Sequence, residues 1–346
     1  MARAVGERRT TIYDIAEAAM ASPATVSMVL NGSWASYRIS RQTADRVRCS
    51  AEQLGYKVNL KARALRLSRS GLAGMIIPHY RNRFFAGLVE HFEAEARRRG
   101  LCPIVVSTQR DEAIARSVTE TMLAQQVEFL FTAGVRDPDA LNALCSHAGI
   151  TSINLDLPGR DAPSVVSDNA AGAKALTLVL IDKIRGRGGS PHDMLFLGGI
   201  AGEFATVGRL SGFRAALRER GIQPDRAPVD CCGYLPAAAC RSLAAFVERH
   251  GRMPHGLFIN SITAFEGFTR FACGSPRPLL SSVACFDWDP FAAHLPFDVV
   301  MMRQDVEGII EAAFGLIDAP MAKPYRMIVV PPRFAAVHDA EIPEHV

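Results

Sequence analysis

No stretch of the 346 residues approaches the ~18 consecutive apolar positions of a membrane-spanning helix, and the opening MARAVGERRTT has no hydrophobic signal core. A cytoplasmic chain is expected, with no membrane contact, and an exported binding protein is disfavoured. The eight cysteines form no CxxC pair, and Cys231 and Cys232 are adjacent, too close for an ordinary disulfide or a paired metal site. Reduced core or surface thiols are expected. The nine histidines include no HExxH. Gly198, Gly199 and Gly202 complete neither GxGxxG nor a GxxxxGKS/T phosphate loop, and there is no GxSxG nucleophile elbow. The expectation is therefore a protein without metal, cofactor or catalytic residues. What the chain does have is length and apolar content, 49% hydrophobic, enough for two or three cores.

Its charge is unevenly placed. Residues 1–70 carry 12 Lys and Arg against 5 Asp and Glu, whereas the remainder carries 27 against 30. A basic segment attached to a near-neutral body is the electrostatic footprint of a nucleic-acid-binding head. Within that segment lies TIYDIAEAAMASPATVSMVLN, Thr11 to Asn31. Ile12, Ile15, Ala16 and Ala19 share one helical face, with Asp14 and Glu17 near the positive N-terminal end. Ser22 and Pro23 then restart a helix, a capping side chain followed by a ring suited to the first helical position. With Val26, Val29 and Leu30 turned inward, Pro23, Ala24, Thr25, Ser27 and Met28 face out, as in a helix-turn-helix that reads the major groove. A third helix is expected from Arg41 to about Leu54, capped by Ser40 and ended by Gly55. The basic stretch 56–71 has no apolar face wide enough to bury alone and reads as a linker that folds conditionally.

From Met75 short β-branched runs alternate with amphipathic helices. Strands are expected at Met75 to Ile77, Ile104 to Ser107, Glu128 to Thr132, Ser152 to Leu155, Met194 to Leu197, Gly256 to Ile259, Val283 to Phe286 and Met327 to Val330. The expected helices between them are Phe85 to Arg99, Glu112 to Ala124, Ala140 to His147, Ala170 to Asp182, Arg209 to Arg220, Ala237 to Arg249, Thr263 to Ala272 and Val306 to Ile317. Such alternation implies parallel sheets covered by helices on both faces, and there is too much of it for one open sheet. Two α/β lobes are expected, with a ligand at the carboxyl ends of the strands, in the cleft between them.

From Thr11 to about Asp339 the chain resembles the LacI/GalR family of bacterial transcription regulators. The likeness rests on the order of TIYDIAEAA, SPATVSMVLNG, ISRQTADRVRCSAEQLGYKVN, FFAGLVEHFEAEARRRG, SVVSDNAAGAKAL, GRLSGFRAAL, HGLFINSITAFEG, VACFDWDPF, MMRQD and VVPPRF. It implies a helix-turn-helix head (1–58), a hinge helix (59–71) and a core of two doubly wound, periplasmic-binding-protein-like lobes. One lobe would comprise 72–166 and 304–331, the other 167–303 and 332–341. Carried over residue by residue, it places Thr11, Tyr13, Ser22, Thr25, Asn31 and Ser40 on phosphates, with Pro23, Ala24 and Met28 at bases. Asn59, Ala62 and Leu65 would enter the minor groove, the leucine as a wedge between base steps. In the core it places Arg209, Asn260 and Asp287 around a small-molecule effector, with Tyr234 over a ring and Phe84 and Gln304 at the lobe edge. An arginine fork and a carboxylate suit vicinal sugar hydroxyls or a phosphate, so a sugar or sugar phosphate is expected and a nucleoside-like ligand is the alternative. The partners implied are double-stranded DNA with a palindromic operator and a second copy of the chain. Without a leucine heptad after Asp339, a dimer is expected and not a tail-linked tetramer. The chain departs from the family pattern at Met28, where arginine is common, at Met20 and Val58, where glycine and proline are usual, and at Ser261, where aspartate is common. The loop Gly32 to Arg38 is also longer than in the lactose repressor.

Overall fold

A computed structural model describes residues 10–56, 69–274, 280–318 and 323–335. The chain divides into two compact units, Met1–Ser70 and Gly71–Val346. The first contains α1 (Ile12–Ala18), α2 (Pro23–Leu30) and α3 (Arg41–Gln53). Their core is Ile15, Ala16, Ala19, Val26, Val29, Ala44, Val47 and Ala51, so the inward positions read from the spacing are inward in the structure. Leu30 and Ile12 pack against that core from its margin, half-buried. Gly55 closes the unit in the left-handed conformation (φ 61°) that a helix stop favours.

The second unit carries two six-stranded sheets. One contains β1 (Leu72–Ile77), β2 (Cys102–Ser107), β3 (Phe129–Ala133), β4 (Thr151–Leu155), β5 (Ser164–Ser167) and a later strand, β11 (Met327–Val330), in the order β11-β5-β4-β3-β1-β2. The other contains β6 (Met194–Leu197), β7 (Val229–Asp230), β8 (Gly256–Ile259), β9 (Ser282–Phe286), β10 (Val299–Arg303) and β12 (Arg333–Phe334), in the order β12-β10-β9-β8-β6-β7. Every pairing is parallel except that of β12 with β10. Strands sandwiched between helix layers are apolar along their whole length, and β3 (FLFTA) and β9 (SVACF) are buried at every position.

Of the twelve described strands the sequence reading anticipates eight. It misses β7 and β12, two residues each and too short to carry a period. It also misses β5 (SVVS) and β10 (VVMMR), short apolar runs that periodicity alone cannot assign. The helices fall where expected, with ends shifted by a few residues: α4 (Arg83–Arg98), α5 (Glu112–Ala124), α6 (Pro138–His147), α7 (Asn169–Gly186), α8 (Phe204–Glu219), α9 (Pro236–His250), α10 (Ile262–Gly274) and α11 (Val306–Asp318). Helix α4 buries Leu88, Val89, Phe92 and Ala96 against β3 and α11, where Phe92, Phe131 and Phe314 meet. Helices α7 and α8 approach so closely that a Cβ on Gly212 would lie 2.2 Å from the Ala170 carbonyl oxygen.

The chain passes between the lobes three times, after β5, after β10 and between β11 and β12. In each sheet the order reverses beside its first strand, β1 or β6, and ligands of open α/β sheets bind at the carboxyl edge by such switch points.

Candidate functional site

In the head each helix starts on a side-chain cap. Thr11 forms a capping box with Asp14: its hydroxyl donates to Asp14 Oδ2 (2.7 Å) and accepts the Asp14 N–H (3.3 Å). Ser22 Oγ accepts the Thr25 N–H at 3.1 Å, and Ser40 Oγ accepts the Thr43 N–H at 3.2 Å. These hydroxyls thus build the helix ends that point free N–H groups outward, the groups that favour phosphate. Thr11 spends its only O–H on Asp14, so its part is to order α1. Tyr13 is 71% exposed, Ser22, Pro23 and Ala24 are exposed, and Thr25, Ser27 and Met28 are half-buried on α2. Exposed Asn31 caps the end of α2, its amide donating to the Ser27 carbonyl and, at 3.3 Å, to Ser27 Oγ. Arg46 Nε donates to the Ala19 carbonyl (2.8 Å), fixing α3 against the turn after α1. Asn59, Ala62 and Leu65 lie outside the described residues.

In the second unit the carboxyl ends of the strands converge on a cleft between the lobes. Arg209, on α8 and 3% exposed, donates from Nε to Asn169 Oδ1 (2.8 Å) and from Nη1 to the Asn260 carbonyl (2.5 Å), with its guanidinium 4.0 Å over the Phe286 ring. Asp287 follows β9 and accepts from Gln304 Nε2 (2.6 Å) and the Ile262 N–H (3.1 Å). Gln304 Oε1 accepts in turn from Ser167 Oγ (2.6 Å), so Asp287 is tied to two of the three interlobe crossings. Asn260 is fully buried, yet neither its Oδ1 nor its Nδ2 meets a partner among the described residues. Beside it is Gly199 (φ 82°), where a Cβ would stand 2.5 Å from both Asn260 Nδ2 and Thr206 Oγ1. Buried polar atoms are nearly always satisfied, and an orphaned amide in a cleft marks the place of a ligand or water.

The structure adds residues that the sequence reading missed. Asp156 follows β4 and is buried. Burial raises its carboxyl to about 7, with Arg209 and Arg110 opposing and the nearby Glu203 and Asp287 carboxylates reinforcing. Burial also raises Asp287, against Arg209 and its own hydrogen bonds. Arg110 reaches from the β2–α5 loop to the other lobe, 3.4 Å from Glu203 Oε2 and 4.4 Å over the Tyr234 ring. Tyr234 donates its hydroxyl to Glu203 Oε1, and burial together with that carboxylate raises the phenol. Gln109, Arg110, Asp156 and Asp287 all have positive φ (54°, 61°, 71° and 130°), strain at non-glycine positions that clusters at this cleft.

The predicted core residues divide into two groups that share Asp287. Arg209, Asn260 and Tyr234 surround the acid-rich interior. Phe84 and Gln304 line, with Asp287, a cavity of about 410 Å³ whose walls include Tyr80, Arg81, Trp288 and Arg303. The Arg110 guanidinium covers one face of the Tyr234 ring. Asp156 and Arg110 each follow an expected strand at its carboxyl end, which is the signal that could have found them; Glu203 had none.

The comparisons with known proteins follow this division of head and core. Residues 11–59 match the bacterial regulatory proteins of the lacI family. The ribitol operon repressor of Klebsiella aerogenes is 43% identical over 192 residues, covering 56% of this chain and 71% of that protein. The sucrose operon repressor of Klebsiella pneumoniae is 30% identical over 309 residues, covering 86% of each chain. The chain belongs to the LacI family. Its fold is that of the family's solved structures. The lac repressor dimer bound to operator and the anti-inducer ONPF aligns with a TM-score of 0.78 at 19% identity, over 95% of this chain and 98% of that one. The Cra regulator of Pseudomonas putida, in complex with fructose 1-phosphate, gives 0.68 at 20% identity, over 77% and 98%. This LacI-family chain is a DNA-binding transcriptional regulator, not an enzyme, in keeping with relatives that are operon repressors.

Proposed function

We propose that the protein is a cytoplasmic, homodimeric repressor that binds a two-fold-related operator and is controlled by a sugar-type effector held between its core lobes. The observation that carries the effector reading is the bare amide of Asn260, buried beside Gly199 on a residue whose carbonyl holds the Arg209 guanidinium. Hydrogen-bond donors and acceptors converging in a shielded cleft are what a polyhydroxyl ligand requires. The lac repressor structure supports the symmetric assembly, being a dimer on its operator. On DNA, Ser22, Ser40, Tyr13, Thr25, Ser27 and Asn31 position the head by phosphate contacts. Pro23, Ala24 and Met28 offer only apolar surface to base edges, which suits thymine methyl groups and not guanine. Asn59, Ala62 and Leu65 act in the minor groove.

The test is selection of binding sequences from random duplex DNA with the full chain, followed by release with sugars and polyols. Enrichment of a palindrome whose half-sites contain thymine at the α2 contacts, released by one such compound, is the expected outcome. Enrichment of no sequence, or a site that no compound releases, contradicts the reading. The chemistry within the cleft bears on which compounds can act.

A further inference from the structure

Three acidic side chains are buried in the interior of the cleft, and only two of them are bonded. Asp287 accepts from Gln304 Nε2 and from the Ile262 N–H. Glu203, whose side chain is 4% exposed, accepts from the Tyr234 hydroxyl and pairs with Arg110. The carboxyl of Asp156, a residue 8% exposed, accepts no hydrogen bond from any described residue. A carboxylate buried without a donor is costly, and protonation relieves the cost. The charges around Asp156 come from both lobes. Glu203, Arg209 and Asp287 face it from the opposite lobe, and Arg110 stands on its own. Arg209 is committed to Asn169, the Asn260 carbonyl and the Phe286 ring. Arg110 is committed only in part. Its Nη1 reaches Glu203 across the cleft, yet its Nε is buried without a partner among the described residues. Two carboxyl groups, one on each lobe, therefore compete for Arg110. Ionising Asp156 acts on the lobe contact in two ways. The carboxylate needs water or a donor, which an opened cleft supplies and a closed one does not. It also draws Arg110 toward its own lobe and repels Glu203 on the other.

We propose that Asp156, Arg110 and Glu203 form a proton-operated latch between the lobes: with Asp156 protonated, Arg110 stays on Glu203 and the cleft is held shut, and with Asp156 ionised, the pair loosens and the cleft opens. The latch needs no effector and so goes beyond the function proposed above. Its direction follows from where the proton is held. In the closed cleft burial keeps the Asp156 proton up to about pH 7, whereas a solvated carboxyl in an open cleft releases it at an ordinary ~4. Between those values the closed form carries one proton more. Closure is therefore favoured at low pH and lost as pH rises through about 7, its equilibrium constant falling about tenfold from pH 6 to pH 8. Tyr234, raised by burial and by Glu203, stays protonated across this range. His79, lowered by burial and by Arg110 and Arg81, titrates on its acid side.

The experiment follows Trp288, on the wall of the cavity at the cleft mouth, by acrylamide quenching of its fluorescence in the full chain. Trp34→Phe leaves it as the single tryptophan. The quantity is the difference between this chain and the same chain with Asp156→Asn, whose amide keeps the shape and cannot ionise. Contributions from His79, and from His91 in the same cavity wall, cancel in that difference. The expected result is a rise in quenching centred near pH 7 when Asp156 is present, while the Asp156→Asn chain keeps the low-pH behaviour throughout. Glu203→Gln removes the repulsion across the cleft and moves the transition to lower pH, which tests the same point if Asp156→Asn does not fold. Parallel profiles with and without Asp156, or a transition that Glu203→Gln moves to higher pH, overturn the latch. Operator affinity of the same chains is measured alongside. A quenching transition with unchanged operator affinity supports the latch and contradicts control of the head by the core, so the two readings fail separately.

Discussion

Replacing Asn260 by alanine removes a buried amide that makes no hydrogen bond within the described protein. Truncating a bonded polar group leaves its partner unsatisfied, at about 1–3 kcal/mol, but here no partner is left behind. The expected stability change is therefore small, within about 1 kcal/mol by denaturant titration, while effector affinity falls at least about tenfold. A large loss of stability with unchanged effector response would show that Asn260 is a packing residue. Asp156 supplies a pH prediction. Its carboxyl titrates near 7 in the fold and at an ordinary ~4 when unfolded. Between those values the native state holds a proton that the unfolded chain has released. Its stabilisation is complete below the unfolded value and is lost as pH rises through about 7, by on the order of a few kcal/mol. Asp156→Asn should remove that slope and be the more stable protein at pH 8. The difference between wild type and variant is the quantity to measure, because Glu95, held near 2 by Arg98 and Arg99, contributes with the opposite sign. Sequence reading reached Arg209, Asn260 and Asp287 because each lies in a recognisable stretch. It missed Arg110 and Glu203, because a charged residue in a loop looks like a solvated surface group until the opposite lobe is in place beside it.

At the scale of elements, the close contact of α7 and α8 builds the wall that carries Asn169 and Arg209. Gly212→Ala would set a methyl 2.2 Å from the Ala170 carbonyl oxygen. The helices must part, with an expected loss of about 1–3 kcal/mol by thermal or denaturant unfolding and a weaker effector response. An unchanged midpoint would show that the packing relaxes without cost. Helices were legible because amphipathic periods over a dozen residues are strong signals, as in α4 with Leu88, Val89, Phe92 and Ala96. The caps at Ser22 and Ser40 were legible for the same local reason. Edge strands β7 and β12 and the crossing strands β5 and β10 were not, since their placement depends on neighbours distant in the chain.

At the scale of the molecule, the head and the core are separate compact units, so control requires that ligand occupancy in one change the binding competence of the other. Within the core, the Arg110–Glu203 and Arg83–Asp289 pairs and the Ser167–Gln304–Asp287 chain all join the lobes, and under the proposed function a ligand among them alters how the lobes close. Two lobes and a basic head were readable from alternation and charge, but which groups lock the lobes was not. Linkage requires operator to change effector affinity by the factor through which effector changes operator affinity, typically about 5–150-fold. The most direct measurement is calorimetric titration of the full chain with its effector, with and without saturating operator. The account predicts dissociation constants that differ by a factor in that range, equal to the shift in operator affinity; identical constants would contradict it.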